Sequence, residues 1–312
     1  MQKDKVIVIC GPTASGKTAL SIELAKKING EIVSCDSMQI YKDMNIGTAK
    51  PSIKEMQGIK HYLIDFVSPD ERYSVADYKR DAKEAIKQII NRGKIPIVVG
   101  GTGLYIDSLI YEIEYQDIKF DENYRKELEK RVETEGLNIL YEEAKRIDSK
   151  AIEKISKNDK KRILRILEIY QATGKNKTEQ EIESRKKEGE YDYKVFSLHW
   201  DREELYNRIN KRVDIMIENG LIDEVKFIYK KYDKFPTAMQ GLGYKEVVEY
   251  LENKISKEEM IEKIKQETRK YAKRQLTWFR KNKETIWLDV QPMGTDLFWL
   301  KKMVEYIEKN SI

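Results

Sequence analysis

Up to about Tyr111, short apolar runs alternate with stretches of helical spacing. Val6–Cys10, Glu31–Ser34, Tyr62–Val67 and Ile95–Val99 are strand-sized, while Ala19–Lys27 and Val75–Asn91 place apolar residues along one helical face. That alternation predicts βαβ units and a parallel sheet. From Phe120 to Gly189 the texture changes to charged helical sequence without proline, as in "ENYRKELEKRVE" and "KKRILRILEIYQATGK". An all-helical insertion is expected there. Strand character returns in "VFSLHW" (Val195–Trp200), and Asp201 with Glu204 marks a capping-box helix start. Ile209, Val213, Met216 and Ile217 form the apolar face of that helix, Gly220 stops it, and a second helix is expected from Leu221 to Tyr232. A long helix over Lys257–Lys283, a short strand "TIWLDV" and a helix from about Thr295 follow. The predicted fold class is α/β, a parallel sheet flanked by helices, with a core of residues 1–115 and 195–312 and a helical insertion of residues 116–194.

Composition narrows the function classes. The 312 residues are 40% hydrophobic and 36% charged, with no low-complexity tract or internal repeat, which excludes a disordered chain. Every apolar run is too short to span a bilayer, and "MQKDKVIVIC" enters the first strand at once, with no room for a signal peptide. A cytoplasmic protein with no membrane partner and no obligate protein partner is expected. The two cysteines, Cys10 and Cys35, and the two histidines, His61 and His199, lack metal-ligand spacing, so packing is the expected role of the cysteines.

Net charge is only +5, and its distribution says more. "RKYAKRQLTWFRKNK" (Arg269–Lys283) holds seven Lys or Arg, no acidic residue, and interleaved Tyr271, Trp278 and Phe279. Arg269/Lys273 and Lys270/Arg274 are i,i+4 pairs. Lys160, Lys161, Arg162 and Arg165 form a second patch. Two readings stand for such patches: solvated helix faces, or a surface for nucleic acid.

The chemistry begins in "VIVICGPTASGKTAL", where Gly11, Gly16, Lys17 and Thr18 match G-x-x-x-x-G-K-[ST] between a strand and a helix. Backbone N–H groups of Gly11, Pro12 to Ser15, and Gly16 to Thr18, proline excepted, converge there on a phosphate ester or anhydride at a helix N-terminus. The sheet is therefore P-loop NTPase-like. In such a sheet ligands bind beyond the carboxyl ends of the strands. Asp36 and Ser37 follow the second strand, and Asp36 beside Ser37 and Gln39 suits a general base or a substrate hydrogen bond. Asp65 follows the third, either as a Mg²⁺ ligand or as a turn cap. "GGTGLY" follows the fourth. Its glycines permit close approach of a ligand and Thr102 offers a hydroxyl, although a plain strand-to-helix turn reads the same way.

In order along the chain, "GPTASGKT", "DSMQIYKDMNIGTAKP" (Asp36–Pro51), "VVGGTGLYI" (Val98–Ile106), "DREELYNRINKRVDIMIENGLIDEV" (Asp201–Val225), "GLGYKE" (Gly241–Glu246) and "TRKYAKRQLTWFR" (Thr268–Arg280) resemble the bacterial tRNA dimethylallyltransferases. The resemblance spans nearly the whole chain. It implies transfer of a dimethylallyl group from dimethylallyl diphosphate to N6 of the adenosine 3′-adjacent to the anticodon, in tRNAs reading codons that begin with U. It implies that residues Gly11, Pro12, Thr13, Ala14, Ser15, Gly16, Lys17 and Thr18 hold the diphosphate, that Thr18 holds Mg²⁺, that Arg212 reaches the diphosphate and that Asp36 takes the N6 proton. Ser37, Met38, Gln39 and Thr102 would face the base. Tyr124, Lys161, Arg162, Ile163, Leu164 and Arg165 of the insertion, with Gln240, Gly241, Leu242, Gly243, Tyr244 and Lys245, and Arg269, Lys273 and Arg274, would contact the tRNA. An adenine-nucleotide prenyltransferase and a small-molecule P-loop kinase are the alternatives.

Overall fold

The computed structural model describes residues 3–113, 121–185, 189–290 and 295–309. The elements run β1 (Lys5–Cys10), α1 (Lys17–Lys27), β2 (Gly30–Cys35), α2 (Ile53–Met56), β3 (His61–Tyr62), α3 (Val75–Asn91), β4 (Ile95–Gly100) and α4 (Gly103–Ile110). Five helices follow: α5 (Glu122–Glu135), α6 (Leu137–Ile147), α7 (Ser149–Ile152), α8 (Lys160–Thr173) and α9 (Lys177–Arg185). The remainder is β5 (Asp192–His199), α10 (Arg202–Glu218), α11 (Leu221–Lys231), α12 (Tyr244–Leu251), α13 (Lys257–Phe279), β6 (Ile286–Asp289) and α14 (Thr295–Lys309).

Among the described residues the chain forms two compact units, one of Met1–Ile106 with Tyr191–Ile312 and one of Asp107–Glu190. The first holds a six-stranded, all-parallel sheet in the order β3-β2-β4-β1-β5-β6. β1 is central, with Ile7 opposite Ile97 on one side and Lys194 on the other. Parallel strands need cover on both faces, which is why Val6–Cys10 is uninterruptedly apolar and buried. Ile7, Ile9, Ile32 and Ile97 share one cluster with Leu20 and Leu24 of α1 and with Met303 and Ile307 of α14. A second cluster joins Ile40, Tyr41 and Met44 to α11, α12 and α13 through Val225, Tyr244 and Ile264. The second unit packs α5 to α8 around Leu128, Leu140, Ile163, Leu164 and Leu167.

Two expectations change. The strand foreseen over Tyr62–Val67 is only His61–Tyr62, because Leu63 (φ 57) and Asp65 (φ 59) turn into the left-handed region and only an isolated bridge joins Tyr41 to Val67. The Asp201 carboxylate accepts the N–H groups of Glu203 (2.8 Å) and Glu204 (3.4 Å), so the helix starts where expected with the forward half of the box. The expected start of the insertion at 116 lies outside the described residues.

Candidate active site

Residues following β1, β2 and β4 converge with α10, α13 and the turn before α12 on one cleft of about 580 Å³. The loop after β1 is the floor. Gly11 (φ 143), Ala14 (φ 62) and Gly16 (φ 90) all take positive φ, which curls the loop tightly. At Ala14 that conformation costs about 1–2 kcal/mol and needs outside support.

Support comes from side chains far along the chain. Trp200 Nε1 donates to the Ser15 carbonyl (2.9 Å) and Arg208 Nε to the Ala14 carbonyl (2.9 Å), with the Arg208 guanidinium 4.2 Å from the Trp200 ring centre. Gln275 accepts the Thr13 N–H (2.9 Å) and donates to the Gly101 carbonyl (2.9 Å), which ties the loop to the turn after β4. Lys17 Nζ donates to the Pro12 carbonyl (2.7 Å). The carbonyls of Pro12, Ala14 and Ser15 are thereby each engaged by a side-chain donor, and the amides of the first turn of α1 have no helical acceptors. This is an anion cradle.

Two cations face the cradle. Burial, together with the Arg212 guanidinium, lowers the Lys17 ammonium to about 8, against the opposing pull of Asp36. Burial also lowers Arg212, again with Asp36 acting the other way. Arg212 lines the cleft with no hydrogen bond or ion pair to a described residue. Two desolvated cations beside each other have an unfavourable empty state that an anion relieves. The Thr18 hydroxyl, exposed in the first turn of α1, likewise lacks a partner among the described residues.

Asp36 sits where β2 ends. Its Oδ1 accepts the N–H groups of Met38 (2.9 Å) and Gln39 (3.2 Å), while Oδ2 has no hydrogen bond to a described residue. The Thr102 hydroxyl accepts the Ser37 N–H (3.0 Å), and the Thr102 N–H donates to the Cys35 carbonyl (3.2 Å). The turn after β4 therefore positions the Asp36 turn. Its glycines make room for protein: a Cβ on Gly100 would lie 1.9 Å from the Cys35 carbonyl oxygen, and one on Gly101 2.2 Å from Gln275 Nε2. Met38 packs on Gly241, and the Gln39 amide donates to the carbonyls of Thr48 (3.1 Å) and Ala49 (3.3 Å).

The other residues singled out from sequence divide by location. Gln240, Gly241, Leu242, Gly243, Tyr244 and Lys245 line the cleft, but the Tyr244 side chain is fully buried. Asp65 pairs with Lys50 (2.6 Å), a structural use distinct from both readings of it. On α13, Thr268, Tyr271, Arg274 and Gln275 share the face that lines the cleft, as helical spacing dictates. Lys273 and Arg274 are exposed, whereas Arg269 is held by Asn210 (2.6 Å) and Glu262 (3.0 Å). In the helical unit Lys161, Arg162 and Arg165 are exposed and Tyr124 is half-buried. Ile163 and Leu164 are fully buried there, so their side chains pack the core of that unit instead of facing RNA.

Sequence reasoning missed Trp200, Arg208 and Gln275, and read Tyr271 only as an aromatic of the basic patch, not as a residue of the cleft. Only Gln275 and Tyr271 carried a signal: Ile264, Thr268, Tyr271 and Gln275 follow one another at spacings of three to four residues on one helical stripe. No group of three or more His, Cys, Asp or Glu able to hold a metal occurs among the described residues.

Comparison with known proteins adds an independent line. The family profile described as IPP transferase matches residues 39–282. A tRNA dimethylallyltransferase of Acetivibrio thermocellus is 50% identical over 305 residues, covering 97% of each chain. One from Bacillus mycoides is 44% identical, covering 99% of this chain and 96% of its own. Among solved structures, the full-length tRNA isopentenylpyrophosphate transferase of Bacillus halodurans superposes with a TM-score of 0.73 at 41% identity, over 99% of this chain and 98% of the other. A eukaryotic dimethylallyltransferase acting on tRNA superposes with a TM-score of 0.83 at 33% identity, over 98% of this chain and 80% of its own.

Proposed function

The chain belongs to the IPP transferase family, and on that premise we propose that it is a tRNA dimethylallyltransferase, moving the dimethylallyl group of dimethylallyl diphosphate to N6 of the adenosine 3′ to the anticodon in tRNAs that read codons beginning with U. One observation carries the reading at the level of the site: a P-loop cradle with two desolvated cations, Lys17 and Arg212, shares its cleft with a carboxylate whose Oδ2 is unbonded.

In the reaction, the allylic C1–O bond breaks as N6 bonds to C1. The electron pair leaves with the diphosphate, and N6 gives up one proton. The P-loop amides, Lys17 and Arg212 take up the charge growing on the departing oxygen, which is worth more in a cleft than in water. Asp36, oriented through Oδ1 by two amides, receives the proton at Oδ2, because an adenine amine is a weak nucleophile until that proton is shared. Mg²⁺, when bound, supplies further positive charge to the diphosphate. The Thr18 hydroxyl, without a partner among the described residues, fits it, since Mg²⁺ takes few protein ligands and completes its shell with water and phosphate oxygens. Ser37, Met38 and Gln39 form the base side of the cleft, with Thr102 acting from behind through the Ser37 N–H, and Lys161, Arg162 and Arg165, like the 240–245 turn, are read as tRNA contacts. No described helix is long and apolar enough to cross a membrane.

The test is incubation with labelled dimethylallyl diphosphate and bulk tRNA, AMP or ATP. Transfer to tRNA without added nucleotide, lost in EDTA, is the expected result. Transfer to AMP in preference to tRNA, or phosphoryl transfer from ATP, would replace this reading with a nucleotide prenyltransferase or a kinase.

A further inference from the structure

Residues Asn45–Pro51 lie outside any helix or strand, yet Gly47, Thr48, Ala49 and Pro51 line the cleft. Backbone of this kind needs acceptors for its amides. Three consecutive ones converge on a single side chain from α11. Glu224 Oε2 accepts the N–H groups of Asn45 (2.8 Å) and Ile46 (2.7 Å), and Oε1 accepts that of Gly47 (3.1 Å). Oε1 also accepts the Tyr244 hydroxyl at 2.6 Å. Four donors on two oxygens fill the acceptor capacity of a carboxylate.

The consequence reaches the cleft by two routes. Through Tyr244, Glu224 fixes the turn before α12. The Tyr244 ring packs so closely on the loop that a Cβ at Gly47 would lie 2.5 Å from it. Through the loop, the Thr48 and Ala49 carbonyls accept the Gln39 amide, and the Gln39 N–H helps hold Asp36 Oδ1. The P-loop is braced separately by Trp200, Arg208 and Gln275, none of which bonds to this network. One carboxylate thus sets the base-facing wall and leaves the anion cradle alone.

We propose that Glu224 is a positioning residue for the acceptor nucleoside, acting through the 45–49 loop, Tyr244 and Gln39; the role rests on the transferase reading above. Glu224→Gln replaces two acceptor oxygens by one and turns an NH₂ toward the loop amides. Losing charge-assisted hydrogen bonds at that point should lower kcat/KM for tRNA about 10- to 100-fold. The loss should appear mainly in the KM for tRNA, with the KM for dimethylallyl diphosphate and the affinity for pyrophosphate unchanged. Amide hydrogen exchange should accelerate over 45–49 and stay at the wild-type rate in the P-loop. Tyr244→Phe removes one donor and keeps the carboxylate, so it should raise the tRNA KM less than tenfold, and it serves as the test if Glu224→Gln fails to fold. Wild-type protein that transfers nothing to tRNA sinks the transferase reading. Wild-type protein that transfers, beside variants whose tRNA KM is unchanged or whose two KM values rise alike, overturns the role of Glu224 alone.

Discussion

Replacing Gln275 by leucine and by glutamate separates two things its side chain does for the P-loop. The side chain is buried, accepts the Thr13 N–H at 2.9 Å and donates to the Gly101 carbonyl at 2.9 Å. Leucine leaves both backbone groups facing an apolar side chain, at a cost of about 1–3 kcal/mol each, or about 2–6 kcal/mol together. Thermal stability should fall by roughly 5–15 °C for a unit of this size. Glutamate keeps the acceptor for Thr13 and loses the donor to Gly101, and the cations Lys17 and Arg212 that line the same cleft offset part of the cost of burying its charge, so its stability loss is smaller. The same charge opposes an incoming diphosphate. A unit charge one side-chain length from the cradle costs on the order of 2–3 kcal/mol at an effective dielectric near 20, which is about 30- to 100-fold in affinity.

The two variants should therefore rank in opposite orders. Leucine should lower the melting temperature more, and glutamate should weaken binding of a non-reactive dimethylallyl thiodiphosphate more. Differential scanning fluorimetry and isothermal titration with the analogue and Mg²⁺ measure the two quantities. The same rank order in both, or wild-type analogue affinity in Gln275→Glu, would refute the argument that this amide mediates between fold and anion site.

Asp36→Asn should keep tRNA binding and slow the single-turnover step by about 10²–10⁴-fold, as loss of a general base does; rates within threefold of wild type would remove Asp36 from that role. Neutralising Lys273 and Arg274 should make the salt dependence of tRNA binding shallower by roughly one unit per lost phosphate contact, and adding Arg269 should change little because Asn210 and Glu262 already hold it; an unchanged slope would leave these residues as a solvated face. Glu31 offers a pH test away from the site. Burial alone would raise its carboxyl, but hydrogen bonds from Lys94, Tyr62 and Arg92 bring it down to about 2 from 4.5. A depressed carboxylate contributes stability above its unfolded value, lost as pH falls from about 4.5 through 2, and worth on the order of 2 kcal/mol once screening of the half-exposed cations is allowed for. Chemical denaturation of Glu31→Gln should show that deficit at pH 7 and a shrinking one below pH 4.5; a deficit constant with pH would contradict the assignment.

What sequence made legible follows from range of interaction. β1, β2, β4 and α3 are recognisable because burial on a strand's two faces, or on one helical stripe, writes itself into adjacent residues. The same signal failed at "YLIDFV", whose apolar residues read as a strand but break after Tyr62, with Ile64 lining the cleft and Val67 buried. Apolar content there reflects packing, and only backbone dihedrals decide pairing. The loop after β1 and the turn at Asp36 were legible because their geometry depends on local spacing. Trp200, Arg208 and Gln275 were not, since each holds the loop from 185 to 262 residues away and any buried donor or acceptor would serve from such a distance.

The basic helix α13 shows why composition alone stops short. Counted as a segment, Arg269–Lys283 is a run of cations, and the count suggests one uniform surface. Helical geometry divides it by position. Arg269 is spent on Asn210 and Glu262, and Lys270 on Glu267 at 2.7 Å, so those charges are largely neutralised within the protein. Lys273 and Arg274 keep theirs. One residue further on, a rotation of about 100° turns Gln275 inward to the P-loop. The exposed charge of Arg274 and the buried amide that braces the loop after β1 are therefore consecutive residues of one helix that both line the cleft, told apart by burial and by nothing in their local sequence.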